Sequence, residues 1–125
     1  MSTLPTLSLI WFLFTKHFVV DFLLQPQWMY ANKGDPTHPG GYVHAGLHGA
    51  VTLLILAFGF APLSLAITLG AAETVAHWAI DLAKVRINAA KGWGPTTSEY
   101  FWYLLGYDQW LHNGCYVLIV AVVAR

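Results

Sequence analysis

The sequence has few charged residues and almost no cysteine. Only 10% of its residues are charged, whereas soluble domains contain about 25%. The six basic and six acidic residues cancel, so the chain lacks the basic field that binds nucleic acid, and we expect no nucleic-acid partner. The single cysteine, Cys115, cannot form a disulfide within the chain. The composition is 57% hydrophobic, which is typical of a membrane protein, and the expected partner is therefore the lipid bilayer.

The apolar residues fall into four long stretches. A helix needs about 20 residues to cross roughly 30 Å of hydrocarbon. The pattern therefore predicts an all-α fold, an integral membrane bundle of four transmembrane helices connected up and down, in a single membrane domain over residues 1–125. Thr96, followed three residues later by Glu99, predicts a capping box that opens the last helix. The predicted spans run over about 5–26, 43–60, 63–87 and 99–124.

The distribution of basic residues predicts an orientation. Lys33 lies in the first connection, and Lys84, Arg86 and Lys91 lie in or beside the third, while the second connection has no charge. Basic connections tend to stay on the cytoplasmic side of a membrane. We therefore expect the first and third connections to face the cytoplasm and both termini to lie outside.

Each predicted span carries acidic or histidine side chains four residues apart. In the stretch AETVAHWAIDLAK, residues 71–83, these are Glu73, His77 and Asp81, which share one face of a helix. Up-and-down connectivity would bring the polar stripes to a similar depth in the cytoplasmic half, inside the bundle. The stripes of the other three spans are His17, Asp21 and Gln25; His44 and His48; and Asp108 and His112.

The buried carboxylates need a positive charge. An ionised group at the centre of a span costs at least about 2.5–3.5 kcal/mol, so Asp21, Glu73, Asp81 and Asp108 would together cost on the order of 10 kcal/mol if unpaired. Neutral imidazoles bring no charge, and the stripes offer only Lys84 as a cation. A bound divalent cation supplies charge and accepts both imidazole and carboxylate ligands. The alternative is a structural set of His–Asp hydrogen bonds between helices, which does not require matching stripes on all four.

The stripes predict one or two divalent cations, with zinc preferred and manganese or iron as alternatives. The candidate ligands outnumber those of one tetrahedral zinc, so either two ions bind or some carboxylates orient the histidines. Glu73 or a carboxylate that is not a ligand would act as general base, and Lys84 or Gln109 would stabilise an anionic oxygen. The predicted metal ligands are His17, Asp21, His44, His48, His77, Asp81, Asp108 and His112.

The predicted function is that of a metal-dependent hydrolase. A site at the depth of one leaflet suggests a lipid or lipid-linked substrate. One rival is a transport or proton-relay module, which would require a homo-oligomer because a lone four-helix bundle has little room for alternating access. Another is a metal-stabilised accessory subunit without turnover, since ligands needed for folding and for catalysis look alike in a sequence.

Four motifs resemble those of a family of small bacterial and phage-borne integral membrane proteins, catalogued as a domain of unknown function (DUF3307). The motifs are KHFVVDFLLQ, followed by Met29 and Lys33, then HAGLH, HWAIDLAK and DQWLH. The resemblance implies a helical fold in the bacterial inner membrane and comes with no established activity. A looser similarity to membrane-bound metal-dependent hydrolases rests on a His-x-x-x-Asp pair within a span and favours the hydrolase hypothesis. The implied signature positions are His17, Asp21, Gln25, His44, His48, His77, Asp81, Lys84, Asp108, Gln109 and His112.

Overall fold

The fold is all-helical, as predicted, and contains no strand. A computed structural model describes all residues from Met1 to Arg125. Its helices are α1 (Thr3–Phe18), which continues into a π turn over Val19–Leu23, then α2 (Gln27–Tyr30), α3 (Pro39–Ala57), α4 (Leu63–Lys91) and α5 (Glu99–Val123). The long helices begin and end within four residues of the predicted span limits.

The four long helices form a ring of neighbours. Contacts join α1 to α3, α3 to α4, α4 to α5 and α5 back to α1. The amino group of Met1 lies 3.3 Å from the carbonyl oxygen of Ala124, so both termini lie at the same end of the bundle. The connections over residues 24–38 and 92–98 therefore share the opposite end.

Three helices, and not the predicted four, are long and apolar enough to cross a membrane. They are Thr3–Leu23, Pro39–Ala57 and Leu63–Lys91. Helix α5 has sufficient length at 25 residues, but Asp108, Gln109, His112 and Asn113 interrupt its apolar character. The prediction of four spans is wrong in this respect, because these polar residues lower the mean hydropathy of α5, although Asp108 and His112 face the interior of the bundle.

Helix boundaries follow local chemistry, with one correction. Helix α5 begins at Glu99 and its N-cap is Ser98, whose hydroxyl accepts from the Tyr100 backbone N–H at 3.3 Å. The predicted capping box from Thr96 is therefore wrong. His38 caps α3, since its Nδ1 accepts from the backbone N–H of Gly40 at 3.0 Å.

The core at the terminal end is dry and apolar. Side chains from α1, α3, α4 and α5 pack together there with almost no exposure. The polar side chains of the stripes lie in the other half of the bundle. The apolar cluster consists of Leu9, Leu13, Leu56, Ala66, Tyr116, Ile119 and Val120.

Candidate metal site between the helices

Asp21 reaches the centre of the bundle from the π turn that ends α1. A π turn is a rare widening of a helix and is frequent at functional sites. The Asp21 Oδ2 atom lies 3.2 Å from His17 Nε2, one turn earlier. The Gln25 amide donates to the Asp21 carbonyl oxygen at 2.8 Å, which ties down the end of the turn.

Four donor atoms converge from α1, α3 and α4. The Asp21 Oδ1 atom lies 3.0 Å from both His44 Nε2 and His48 Nε2, and 3.8 Å from His77 Nε2. The two Nε2 atoms of His44 and His77 are 3.1 Å apart. All three imidazoles are at most 1% exposed. These four residues form a group that could hold a metal ion, which we call the first metal group.

A second metal group consists of His77, Asp81 and His112. The Asp81 Oδ2 atom lies 3.5 Å from His77 Nε2, and Asp81 Oδ1 lies 3.7 Å from His112 Nε2. The His77 and His112 rings stack with centroids 4.0 Å apart. His77 belongs to both groups through its Nε2 atom. That nitrogen has one lone pair and can therefore bind only one ion at a time. The two groups therefore compete for His77.

Two predicted ligands, His17 and Asp108, lie beside these groups and outside them. His17 Nδ1 lies 2.8 Å from the Tyr116 hydroxyl, and its Nε2 contacts Asp21 Oδ2 and, at 3.1 Å, Gln109 Oε1. Asp108 Oδ1 lies 3.6 Å from His112 Nε2. Each of them contacts a member of a metal group, His17 contacting Asp21 and Asp108 contacting His112, and is positioned to orient that side chain.

The residues predicted to act in catalysis are all in contact with other polar groups. Glu73 forms a buried ion pair with Lys16, and its Oε1 lies 3.9 Å from His48 Nδ1. Lys84 contacts Asp81 Oδ1 at 3.2 Å and Asp108 Oδ2 at 3.0 Å. The amide of Gln109 links His17 to Asp108, donating to Asp108 Oδ2 at 3.1 Å. Their catalytic roles stay predictions.

Lysines neutralise more of the buried acid than the sequence analysis allowed. Lys16 pairs with Glu73, Lys33 lies 2.7 Å from Asp81 Oδ2, and Lys84 pairs with Asp81 and Asp108. Four carboxylates against three ammonium groups leave one negative charge. Asp21 is the carboxylate without a lysine partner, so the uncompensated charge lies in the first metal group.

Sequence reasoning missed Lys16, Lys33 and Tyr116 as residues of the site. A signal existed for Lys16, because a lysine inside a predicted span is as costly as a carboxylate and calls for a partner. Lys33 was used for the orientation and as part of a family motif but not as a site residue, yet it is 7% exposed and reaches into the bundle from the first connection. Nothing in the sequence pattern marked Tyr116.

Hydrogen positions follow from the lysine contacts. The Lys16 ammonium only donates, so His48 Nδ1, at 3.2 Å, is the accepting nitrogen of that ring. His48 Nε2 then carries the ring hydrogen and donates to Asp21 Oδ1. A cation bound at His48 Nε2 would require the ring hydrogen to move to Nδ1, and Nδ1 would then no longer accept from Lys16.

Several buried polar atoms lack a hydrogen-bond partner. They include the Nε2 of His112 and Oδ1 of Asp108, which face each other, and the Nδ1 atoms of His44 and His77. Buried polar atoms are nearly always hydrogen-bonded, so such a cluster calls for an explanation. None of these four atoms is a converging donor of the first metal group, so a cation bound there would not satisfy them.

A close approach of α3 and α4 brings the histidines together. Gly49 on α3 faces Gly70 on α4, and a Cβ at Gly70 would lie 2.7 Å from the Gly49 carbonyl oxygen. Small residues let membrane helices pack closely in this way. Gly46, three residues earlier on α3, has open space around it.

The donor set fits a divalent cation. A tetrahedral zinc with bonds of about 2.0–2.2 Å has ligand atoms roughly 3.3–3.6 Å apart. Four of the six donor–donor distances in the first metal group, at 3.0–3.8 Å, bracket that spacing, and all six lie within 4.8 Å. Imidazole and carboxylate together suit zinc, manganese and iron, so the geometry does not select among them.

Comparison with known proteins identifies a family and no characterised relative. A family model described as "Protein of unknown function (DUF3307)" matches residues 9–125. No curated protein and no solved structure matches the chain. The match covers nearly the whole chain, including every residue of both metal groups, and the chain therefore belongs to the DUF3307 family.

Proposed function

We propose that the chain is a membrane metalloprotein that binds one divalent cation between Asp21, His44, His48 and His77. The observation that carries the proposal is the convergence of four donor atoms at 3.0–3.8 Å in a buried site. They come from three different helices, so ion binding would also tie the bundle together.

The charge balance supports one ion and not two. With neutral imidazoles the buried cluster has one net negative charge, and one divalent cation leaves a single positive charge that a hydroxide or anionic substrate can neutralise. A second cation would leave three positive charges in a site that lipid surrounds, at a cost of several kcal/mol for each unpaired ion.

We further propose that the bound ion serves hydrolysis. A bound zinc or manganese ion supplies an activated water and polarises an ester or phosphate group. His112 is the better candidate for the base that accepts a proton from that water, since its Nε2 has no hydrogen-bond partner and lies next to the first metal group, stacked on His77. Glu73 is less suited because its Oε1 pairs with Lys16, although its Oε2 has no hydrogen-bond partner. Asp81 and Asp108 hold His112 from two sides.

Transport across the bilayer receives less support. The apolar cluster at the terminal end lies between the metal groups and that end of the bundle, and it offers no polar side chain other than the Tyr116 hydroxyl. An ion or proton path would have to pass through it. Metal or proton flux in proteoliposomes that depends on Asp21 would overturn this ranking.

Metal content tests the binding proposal. We expect protein purified in detergent to contain about one zinc, manganese or iron per chain, and His48→Ala and His77→Ala to lose it. His38→Ala is the matched control, because His38 lies outside both metal groups and should leave the metal in place. Wild-type protein without metal, or variants with unchanged content, would refute the proposal.

Turnover needs a separate test. Metal-loaded protein should hydrolyse at least one member of a panel of glycerophospholipids, and His112→Ala should abolish this while retaining the metal. A metal-loaded protein that cleaves no lipid on the panel would overturn the hydrolase proposal, leave metal binding intact, and favour the accessory subunit.

A further inference from the structure

Two cavities beside the metal groups share Lys84 as a lining residue. The first, of about 440 Å³, opens between the first connection, α4 and α5, and its polar lining consists of Gln25, Lys33, Lys84 and Asn88. We call it the polar cavity. The second, of about 320 Å³, is an apolar groove between α4 and α5 that also reaches Lys84 and Asp108. Its apolar walls include Ala79, Ala83, Ile87, Leu104 and Leu111.

The polar cavity has unused hydrogen-bonding capacity of both kinds. Gln25 Oε1 and Asn88 Oδ1 are buried and have no hydrogen-bond partner. An ammonium group has three N–H donors. Lys84 uses two, on Asp81 and Asp108, whereas Lys33 lies 2.7 Å from Asp81 Oδ2 as an ion pair without a hydrogen bond. One donor on Lys84 and those of Lys33 remain, beside two free acceptors.

The depth of this cavity matches the headgroup layer of a membrane. Helix α4 has 29 residues and is therefore about 43 Å long. The hydrocarbon core takes up only about 30 Å of that length. If the first turn of α4 lies at the opposite surface, its last two or so turns, which contain Asn88, extend among the lipid headgroups. The part of the apolar groove that lies below Lys84, lined by Ala79, Ile80 and Leu111, is then at the depth of the acyl chains.

We infer that the two cavities bind one anionic phospholipid with hydroxyl groups on its headgroup. The phosphate accepts hydrogen bonds from Lys33 and Lys84, a headgroup hydroxyl donates to Gln25 or Asn88, and one acyl chain lies in the groove between α4 and α5. The inference deepens the proposed function by naming the lipid class that lies beside Asp108 and His112. The role of this lipid as a substrate rests on the proposed hydrolysis, whereas its binding in the two cavities does not.

Binding is tested by native mass spectrometry of the full chain in detergent with excess EDTA. The probes are dioleoyl phosphatidylglycerol, dioleoyl phosphatidylcholine and soluble glycerol phosphate. We expect phosphatidylglycerol to bind at least tenfold more tightly than phosphatidylcholine, and glycerol phosphate not to bind at the same concentration. Because metal is absent, failure of lipid binding leaves the metal proposal untouched, and missing metal in the native protein does not affect this result.

Paired variants locate the site. Ala83→Phe should fill the apolar groove, and Asn88→Leu should remove a headgroup acceptor; each should weaken phosphatidylglycerol binding about tenfold. The controls Ala50→Phe and Asn113→Leu make the same changes at exposed positions that line neither cavity, and should leave binding unchanged. Equal binding of the two lipids, or equal effects of variants and controls, would overturn the inference. Tight binding of glycerol phosphate that Ala83→Phe leaves unchanged would overturn the role of the acyl chain.

Discussion

Replacing Gly70 with alanine should push α3 and α4 apart and disturb the first metal group. A Cβ at Gly70 would lie 2.7 Å from the Gly49 carbonyl oxygen and 3.1 Å from Leu53 Cβ. Close carbon–oxygen contacts need about 3.3–3.6 Å, so one backbone must move by roughly 0.6 Å or more. His44 and His48 lie on α3 and His77 lies on α4. The 3.1 Å separation of His44 Nε2 and His77 Nε2 should therefore widen by a similar amount.

The size of the effect follows from two opposing contributions. Overfilling a packed contact costs about 1–3 kcal/mol. Alanine in place of glycine within a helix contributes about 0.5–1 kcal/mol of stability. The packing cost exceeds the helix gain at Gly70, so the variant should be destabilised by up to about 2 kcal/mol. Gly46→Ala is the matched control, because nothing lies within 4 Å of a Cβ there and only the helix gain remains.

Thermal unfolding in detergent and metal content would be measured for both variants. The two substitutions should shift the melting temperature in opposite directions, and only Gly70→Ala should lower metal affinity. A Gly70→Ala protein as stable as Gly46→Ala, with undiminished metal affinity, would refute the claim that the contact between Gly49 and Gly70 sets the spacing of the histidines.

Two further predictions concern the surroundings of the site. Lys16→Met should destabilise the protein by about 3–5 kcal/mol because it leaves the Glu73 carboxylate buried without a partner. The double variant Lys16→Met with Glu73→Leu should recover most of that loss in chemical unfolding, and no recovery would contradict a direct pairing of the two residues. His38→Ala should remove the N-cap of α3 and cost about 1 kcal/mol by the same assay, with no loss of metal. An unchanged unfolding midpoint would show that the cap does not stabilise α3.

The helices and their polar stripes could be predicted because both depend on local spacing. His44 and His48, or His77 and Asp81, lie on one helix face whatever the rest of the chain does. Asp21 was placed by the same rule, although it lies in a π turn, because its contact with His17 survives the wider geometry. Four of the predicted ligands come together in the first metal group for this reason.

The partners of the carboxylates could not be predicted, since they depend on tertiary packing. Lys33 reaches Asp81 only because the first connection folds back over the end of the bundle, and no local pattern specifies that path. The start of α5 at residue 99 was predicted correctly, but its N-cap was misassigned because both Thr96 and Ser98 suit that position, and only the chain path selects Ser98. The fourth span was misjudged because α5 is long enough to cross a membrane. Its polar residues were considered as metal ligands, and their effect on the hydropathy of the helix was not considered.

The lysines change what the buried acids imply. Four unpaired carboxylates would have required compensation of four charges, which would suggest two divalent ions. Ion pairs of Lys16, Lys33 and Lys84 remove three of those charges and leave Asp21 among imidazoles alone. Less positive charge is therefore required of a bound cation, and it is required at one place, beside Asp21. One ion bound at Asp21 would leave one positive charge at the centre. Its long-range attraction for the phosphate of an anionic lipid would add to the contacts of Lys33 and Lys84, which suffice for binding without metal.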